Sequence, residues 1–305
     1  PCISGGDNTL LKVNISYHMK TVALVTFNAS PKLTPSDTLL IDPLINQGYR
    51  GVSAPWDNPT IDWKQFDAII LRSCWNYHQQ SNEFLLWLSY LESIHASTFN
   101  SINIIRWNMH KKYLEDLQHQ GIPVIPTMWV KKGSSANLRS IALQTGWKDM
   151  VIKPCIGNAA SNVFLVKKNR YFLAQFRLQA LIHKTDIMIQ PLMQGVMNEG
   201  EYSFIFIGGK YSHTILKRPR KGEFRSNYQF QSKETKINPD KKILLQASEI
   251  LAKSPSPTLY ARVDGIVQKG TFVLMELELI EPHLFFDLYP PAAATFAKAL
   301  KKRLQ

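Results

Sequence analysis

Tyr260-Ala-Arg262-Val-Asp264-Gly-Ile-Val-Gln268, followed after one turn by Met275-Glu276-Leu-Glu278-Leu-Ile-Glu281-Pro282, is the stretch that decides the fold. Both arms have strand composition, yet they carry an arginine and several carboxylates among apolar residues. Side chains alternate faces along a strand, so Arg262 and Asp264 share one face, as do Glu276 and Glu278. Gln268-Lys-Gly270 reads as the connecting turn, with Gly270 suited to a left-handed position. A loop of those three residues sets Arg262 against Glu276, with Asp264 diagonal to Glu276. A two-residue loop would send the carboxylates to opposite faces, so the site reading expects a loop of odd length. Carboxylates this close repel one another unless a cation lies between them. Oxygen-only ligands suit Mg²⁺, which is commonly bound by one or two carboxylates together with substrate phosphates. The plain alternative is a surface strand pair carrying a salt bridge.

A chain of 305 residues can bury a large core, and two or three lobes are expected. No apolar run approaches the roughly 20 residues that span a bilayer, so no membrane partner is expected. Cys2, Cys74 and Cys155 are widely spaced and odd in number, which gives neither a disulfide framework nor a metal knuckle. That usage points to a reducing compartment, the cytoplasm. Lys and Arg total 36 against 23 Asp and Glu, and the net charge of +13 favours anionic ligands such as nucleotides. Part of the charge sits in Lys217-Arg-Pro-Arg-Lys221 and Lys301-Lys-Arg303, runs that are commonly just solvated. Residues 1–18 lack an initiator Met and the features of a secretory signal, and a strand pattern begins at Met19. They are expected to be a non-native or disordered appendage.

Lys20 to Phe27 and Phe66 to Leu71 read as buried strands, with a helix from Ser36 to Asn46 and helical spacing at Phe84, Leu85, Leu88 and Leu91. Strands alternating with helices indicate a parallel α/β lobe over 19–104, in which ligands bind at the carboxyl ends of strands. Arg72, Trp75, Asn76 and Tyr77 follow the second strand and are candidate substrate-binding residues; aromatic loop packing is the alternative reading. A helix from Asn108 to Gln120, strand-like Val124 to Lys131, a helix from about Ser135 to Gly146, and strands at Met150–Lys153, Val163–Lys167 and Asp186–Gln190 form a central lobe, 105–190. In 191–305, Glu201–Ile207 and Lys210–Leu216 flank Gly208-Gly209, a hairpin signal, and helices are expected at Asp240–Lys253 and Pro291–Arg303. The fold class is α/β plus α+β.

No Walker loop, dinucleotide fingerprint, zinc-protease motif or nucleophile elbow occurs, so any nucleotide chemistry uses a different cradle. Lys153-Pro-Cys-Ile-Gly157-Asn-Ala-Ala-Ser161 puts a lysine at a strand end before small residues whose amides can approach phosphate. Lys111 could supply a second phosphate contact, and Gln190-Pro191-Leu192-Met193 could be an apolar hinge for a base. A solvated lysine and a core strand end explain these residues as well. Lys217 to Asn227, with Gly222, Phe224 and Arg225, could close over a phosphorylated intermediate or hold RNA phosphates.

In order, the chain presents strand-Lys-Pro, a small-residue loop, a hinge strand, a hairpin opening Gly-Glu-Tyr-Ser, Lys217-x-Pro-x-x-Gly-x-Phe-Arg225-x-Asn227, Arg-Val-Asp264 and Glu-Leu-Glu278. This order resembles the ATP-grasp superfamily, in particular its glutathione-synthetase-like ligases and the group around the cycloserine-pathway ligase. The likeness to that group is carried by Leu71-Arg-Ser-Cys-Trp-Asn-Tyr-His78, Tyr211-Ser-His, Gly222-Glu-Phe-Arg225, Leu259 to Asp264 and Met275 to Pro282. It covers about Met19 to Lys301. The resemblance implies an ATP-grasp fold in which an N-terminal parallel α/β lobe precedes two α+β lobes enclosing ATP. By the same resemblance Asp264, Glu276 and Glu278 would bind Mg²⁺, with Mn²⁺ able to stand in, and Lys111 and Lys153 would contact phosphates. Gly157 and Ser161 would belong to the phosphate loop, and Gln190 to Met193 would hold adenine. Glu199 or Glu201 would serve ribose or the hairpin, Lys217 would also bind the nucleotide, and Arg225 and Arg262 would be catalytic.

The implied activity is ATP-dependent joining of a carboxylic acid and an amine through an acyl phosphate, releasing ADP and phosphate. Small-molecule acid and amine are the expected partners, nucleic acid is not, and the oligomeric state stays open between monomer and homo-oligomer. Alternatives are an RNA- or anion-binding protein on a degenerate nucleotide fold and an ATP-grasp kinase that stops at phosphorylation. Three departures stand out from the family pattern. Gln229-Phe-Gln231 replaces a Gly-Gly pair, Glu278 replaces a metal-binding Asn, and Ala159-Ala160 sits where glycines are common.

Overall fold

Runs of buried aliphatic and aromatic residues organise three sheets in the computed structural model, which describes residues 19–158 and 160–305. The expectation for residues 1–18 and the comparison at Ala159 lie outside the described residues. The first sheet has the order β2-β1-β3-β4, with all pairings parallel: β1 (Lys20–Thr26), β2 (Tyr49–Pro55), β3 (Ala68–Leu71) and β4 (Thr98–Phe99). Helix Ser81–Ser93 packs Phe84, Trp87, Leu88 and Leu91 inward at helical spacing. The expected helix from Ser36 to Asn46 is two short helices, Pro35–Thr38 and Ile41–Ile45. Pro43 has no N–H to return to Leu39, so a continuous ladder cannot form.

The second sheet, antiparallel throughout, has the order β5-β8-β6-β7, from β5 (Met128–Val130), β6 (Met150–Pro154), β7 (Phe164–Val166) and β8 (Ile187–Pro191). Helices Leu138–Thr145 and Tyr171–Ile182 cover it. The latter was invisible as a periodic pattern because apolar residues surround it, with Phe172, Leu173 and Phe176 exposed. The expected helix from Asn108 to Gln120 is also interrupted, into Ile102–Met109 and Tyr113–His119. The Lys111 N–H donates to the Cys155 carbonyl at 2.8 Å instead of extending a helical ladder. Lys111 therefore stands on the connection between helices, beside the exit of β6.

The third sheet, β11-β10-β9-β12-β13, is antiparallel: β9 (Glu201–Ile207), β10 (Lys210–Arg218), β11 (Lys233–Ile237), β12 (Tyr260–Gln268) and β13 (Thr271–Glu278). It shares a core with the first sheet, where Val22, Leu24 and Ile70 join Ile205, Tyr260, Phe286 and Phe296. Asn100 ties the two together, its Nδ2 donating to the Tyr260 and Leu279 carbonyls and its Oδ1 accepting from Leu259 N.

The hairpin between β12 and β13 departs from expectation in an informative way. Gln268 pairs with Thr271, so the loop is the two residues Lys269 and Gly270, both at positive φ. An even loop should separate the carboxylates, but the pairing shifts between Asp264 and Gly265 and leaves Met275 as an extra residue. Beyond this bulge Asp264 lies opposite Glu276 and Arg262 opposite Glu278, which restores them to one face. Gly265 makes the bulge feasible: a Cβ there would sit 2.4 Å from the Val273 carbonyl oxygen and 2.5 Å from the Phe272 ring. Gly265→Ala is expected to destabilise the protein by about 3 kcal/mol in urea denaturation. Gly270→Ala, with no atom within 4 Å of the new Cβ, is expected to cost only about 1 kcal/mol through its positive φ.

Candidate active site

A cavity of about 770 Å³ opens where the three sheets meet, a volume suited to a nucleotide and a small substrate. Lys111 and Lys153 reach it from the second sheet's side, with Nζ atoms 3.1 and 3.8 Å from the two oxygens of Glu276 on β13. Arg262 Nε lies 3.0 Å from each Asp264 oxygen, and Arg262 Nη2 lies 2.9 Å from Oδ2. The same guanidinium donates to Glu278 and, through Nη1 at 3.0 Å, to the His283 carbonyl. Lys217 Nζ bridges Glu201 at 2.7 Å and Asp264 at 3.7 Å. Gly157 and Ser161, the Gln190–Met193 segment, and Trp75 and Tyr77 also line the cavity, as do Arg225 and Asn227. Within the hinge the Leu192 N–H already donates to the Asp149 carbonyl at 2.9 Å, so a bound base would meet the remaining backbone groups.

Three candidates fall elsewhere. Arg72 is buried, donating through Nε and Nη2 to Asp37 Oδ1 at 3.0 and 2.8 Å and also to the Pro282 carbonyl, so it braces the first sheet against the loop after β13. Asn76 turns away to Trp56 Nε1 and Asp57 Oδ2. Glu199 is exposed at the end of helix Gln194–Asn198, before the strand begins, whereas Glu201 opens β9 and lines the cavity. Sequence reasoning missed Ser203, whose hydroxyl donates to Asp264 at 2.5 Å from the neighbouring strand. It also passed over Glu234, Glu281, His283 and Asp287, all cavity-lining. Glu281 stood in the quoted Ile-Glu-Pro run; the others had no local signal.

Burial alone would raise Asp264, but Arg262 and Lys217 outweigh it and hold the carboxyl below its usual range. Burial likewise opposes the charge of Glu276, which Lys111 and Lys153 keep low. Glu278 is pushed up to about 7 by burial and by Asp264 and Glu276, against the pull of Arg262. Glu281 rises to about 8, through burial and then Glu278. Even with two lysines and an arginine on it, the acidic edge is short of positive charge. A hard divalent cation fits that deficit and the oxygen-only donor set. Among the described residues no three His, Cys, Asp or Glu side chains enclose an ion by themselves, which leaves room for water or phosphate oxygens as further ligands. No helix among the described residues is long and apolar enough to cross a membrane.

Fold and cavity together define an ATP-grasp enzyme of the carboxylate–amine ligase class. The chain belongs to the family of the prokaryotic glutathione synthetase ATP-grasp domain, whose model matches residues 119–274. Residues 22–100 match the N-terminal domain of D-cycloserine synthetase DcsG. The cycloserine biosynthesis protein DcsG of Streptomyces lavendulae is 27% identical over 302 residues, 94% of this chain and 100% of the relative. The crystal structure of D-cycloserine synthetase DcsG superposes with a TM-score of 0.84 at 27% identity, over 93% of this chain and 100% of that one. The D-alanine–D-alanine ligase of Bacillus anthracis complexed with ATP shares the fold at a TM-score of 0.64 and 17% identity, over 92% and 94% of the two chains. The macrocyclase MdnC of Microcystis aeruginosa MRC, bound to its precursor peptide, does so at 0.66 and 15%, over 92% and 99%.

Glu281 makes stability depend on pH. Its folded value of about 8 exceeds the ordinary 4.5, so the contribution is full below about pH 4.5 and is lost as pH rises through about 8. Wild type is expected to lose on the order of 3 kcal/mol between pH 5 and pH 9 from this group. Glu281→Gln, which keeps an oxygen for the Asn158 Nδ2 donor now 2.7 Å away, is expected to flatten that slope in thermal melts.

Proposed function

We propose that the chain activates a small carboxylic acid with ATP as an acyl phosphate and passes the acyl group to an amine. The observation that carries this reading is the meeting of Lys111, Lys153, Arg262 and the Asp264–Glu276–Glu278 edge in one cavity. In this reading ATP lies between a central lobe, 105–190, and a C-terminal lobe, 191–305, with the 19–104 lobe completing the substrate side. Asp264, Glu276 and Glu278 would hold Mg²⁺, or Mn²⁺ in its place. The metal's contribution when bound is to offset phosphate charge.

Lys111 and Lys153, both within 4 Å of Glu276, are the cations that phosphate oxygens would engage. Gly157, Asn158, Ala160 and Ser161 line the cavity with them and carry backbone amides. Leu192 and Met193 form an apolar wall for the base, and Glu201, paired to Lys217, is the acid of the ribose side. The substrate carboxylate, oriented by Arg225 and Arg262, attacks the γ-phosphorus and ADP leaves. The amine, having given up its proton to become the free base, then attacks the acyl carbon. A C–N bond forms as the acyl C–O bond breaks, and phosphate leaves with the second proton shed by the nitrogen. The arginines stabilise the negative charge that develops on the acyl oxygen. Phe224, Arg225 and Ser226, which line the cavity along with Lys217, would keep water from the acyl phosphate. Trp75, Tyr77 and Asn227 would contact the substrates. Buried, unpaired Cys74 and Cys155 suit a cytoplasmic setting. The RNA-binding and kinase alternatives are not favoured by the family.

Wild-type protein is expected to bind a nonhydrolysable ATP analogue in a Mg²⁺-dependent manner, and Asp264→Asn to weaken that binding by about a hundredfold in calorimetry. Unchanged metal-dependent affinity in the variant would remove the metal assignment. With hydroxylamine as trap and a panel of carboxylic acids, ATP-dependent hydroxamate formation is the expected sign of the acyl phosphate; ADP release with a stable phosphoester would mark a kinase.

A further inference from the structure

At the cavity edge formed by β11 and the loop after β13, the charge balance reverses. Glu234, His283 and Asp287 all line this edge. Among the described residues neither carboxylate has a Lys or Arg within 4 Å; Asp287 has only the His283 imidazole, with Nε2 3.7 Å from its Oδ1. The nearby cations have other roles, and in the ligase reading Arg225 and Arg262 turn to the acid substrate rather than to the amine. Lys217 is paired to Glu201, and Arg262 to Asp264 and Glu278. Arg225 is gripped by both oxygens of Glu223, through Nε at 3.0 Å and Nη2 at 2.8 Å, and its guanidinium lies 3.5 Å from the centre of the Phe230 ring. Burial raises Glu234, with Lys217 and Arg262 opposing and Asp287 adding to the rise.

The imidazole of His283 packs edge-on against Phe285, with ring centres 4.4 Å apart. Burial, helped by Arg262 and opposed by Asp287 and Asp37, lowers it to about 4, so the ring is neutral near pH 7 and offers a lone pair. Two carboxylates and a neutral imidazole make a wall of acceptors. A ligand carboxylate placed there would face like charges, whereas an ammonium group would find three partners. Lys236, two residues along β11 from Glu234, lies 4.7 Å from the centre of the Tyr289 ring and does not line the cavity.

Resting on the ligase reading above, we propose that Glu234, His283 and Asp287 form the nucleophile subsite and select an amine that arrives as a cation and has no free carboxylate. Diamines and amino-acid amides have that chemistry; a simple α-amino acid does not. The same two carboxylates that attract the amine repel the carboxylate of an amino acid.

The test is calorimetric titration of the protein saturated with Mg²⁺ and the nonhydrolysable ATP analogue, using 1,4-diaminobutane, glycinamide and glycine as probes. The two cationic probes are expected to bind, and glycine to bind at least about tenfold more weakly. Glu234→Gln and Asp287→Asn are each expected to weaken 1,4-diaminobutane by roughly tenfold while leaving nucleotide affinity unchanged, which also reports that the variants are folded. Glycine binding as tightly as glycinamide would overturn the proposal, as would variants that bind the diamine like wild type, or no amine binding to the nucleotide-loaded protein. Failure of the wild type to bind nucleotide would instead strike the ligase reading and take the subsite with it.

Discussion

Asp264 is a buried carboxylate, and the architecture around it is largely what makes that tolerable. Burying an isolated charge costs several kcal/mol, so the group must be compensated on every side. Arg262 meets both of its oxygens, Ser203 donates from β9, and Lys217 approaches from β10. Three strands thus contribute to one ion, which requires β9, β10 and β12 to keep a common register. Arg262 in turn spans to Glu278 and to the His283 carbonyl, so the same network sets the loop that carries His283 and Asp287.

That loop is held from the other side by the first sheet. Arg72 binds Asp37 and the Pro282 carbonyl, and its guanidinium lies 5.4 Å from the centre of the Tyr260 ring. Tyr260 Oη reaches the Leu71 and Ile280 carbonyls at 3.0 and 2.8 Å. An arginine at a strand's carboxyl end commonly suggests a ligand contact. Here it acts as a brace, and the adjacent Trp75 and Tyr77 reach the cavity from the segment it anchors. The substrate side is therefore rigid where the first and third sheets share a core. The phosphate side instead depends on Lys111 and Lys153, which reach Glu276 across a gap between sheets.

Much of the site was legible in the chain because its chemistry is local in sequence. Arg262 and Asp264 share a face of one strand, Glu276 and Glu278 share a face of the next, and Lys153 ends another, so spacing groups the members of each pair. Elements with one-sided apolar patterns were equally readable, as in helix Ser81–Ser93. Helix Tyr171–Ile182 was not, because its apolar residues encircle it, and neither was the break at Lys111, which depends on a bond to Cys155. Arg72 and Asn76 illustrate the opposite failure: the right segment was named, but side-chain direction depends on neighbours far along the chain.

By itself the sequence determined which charged residues share a face within each arm of the acidic hairpin, the order of motifs that identifies an ATP-grasp chain, and the alternation of strands and helices. Those follow from periodicity and composition, which are properties of short segments. Only the tertiary structure decided the hairpin register, since the even loop at Lys269-Gly270 is corrected by a bulge at Met275 that needs Gly265 beneath it. It also decided which of Glu199 and Glu201 turns inward, and it brought Glu234, His283 and Asp287 to one wall. Long-range packing places these groups, and the cost of leaving a buried charge unpaired selects the arrangement that short-range pattern leaves open.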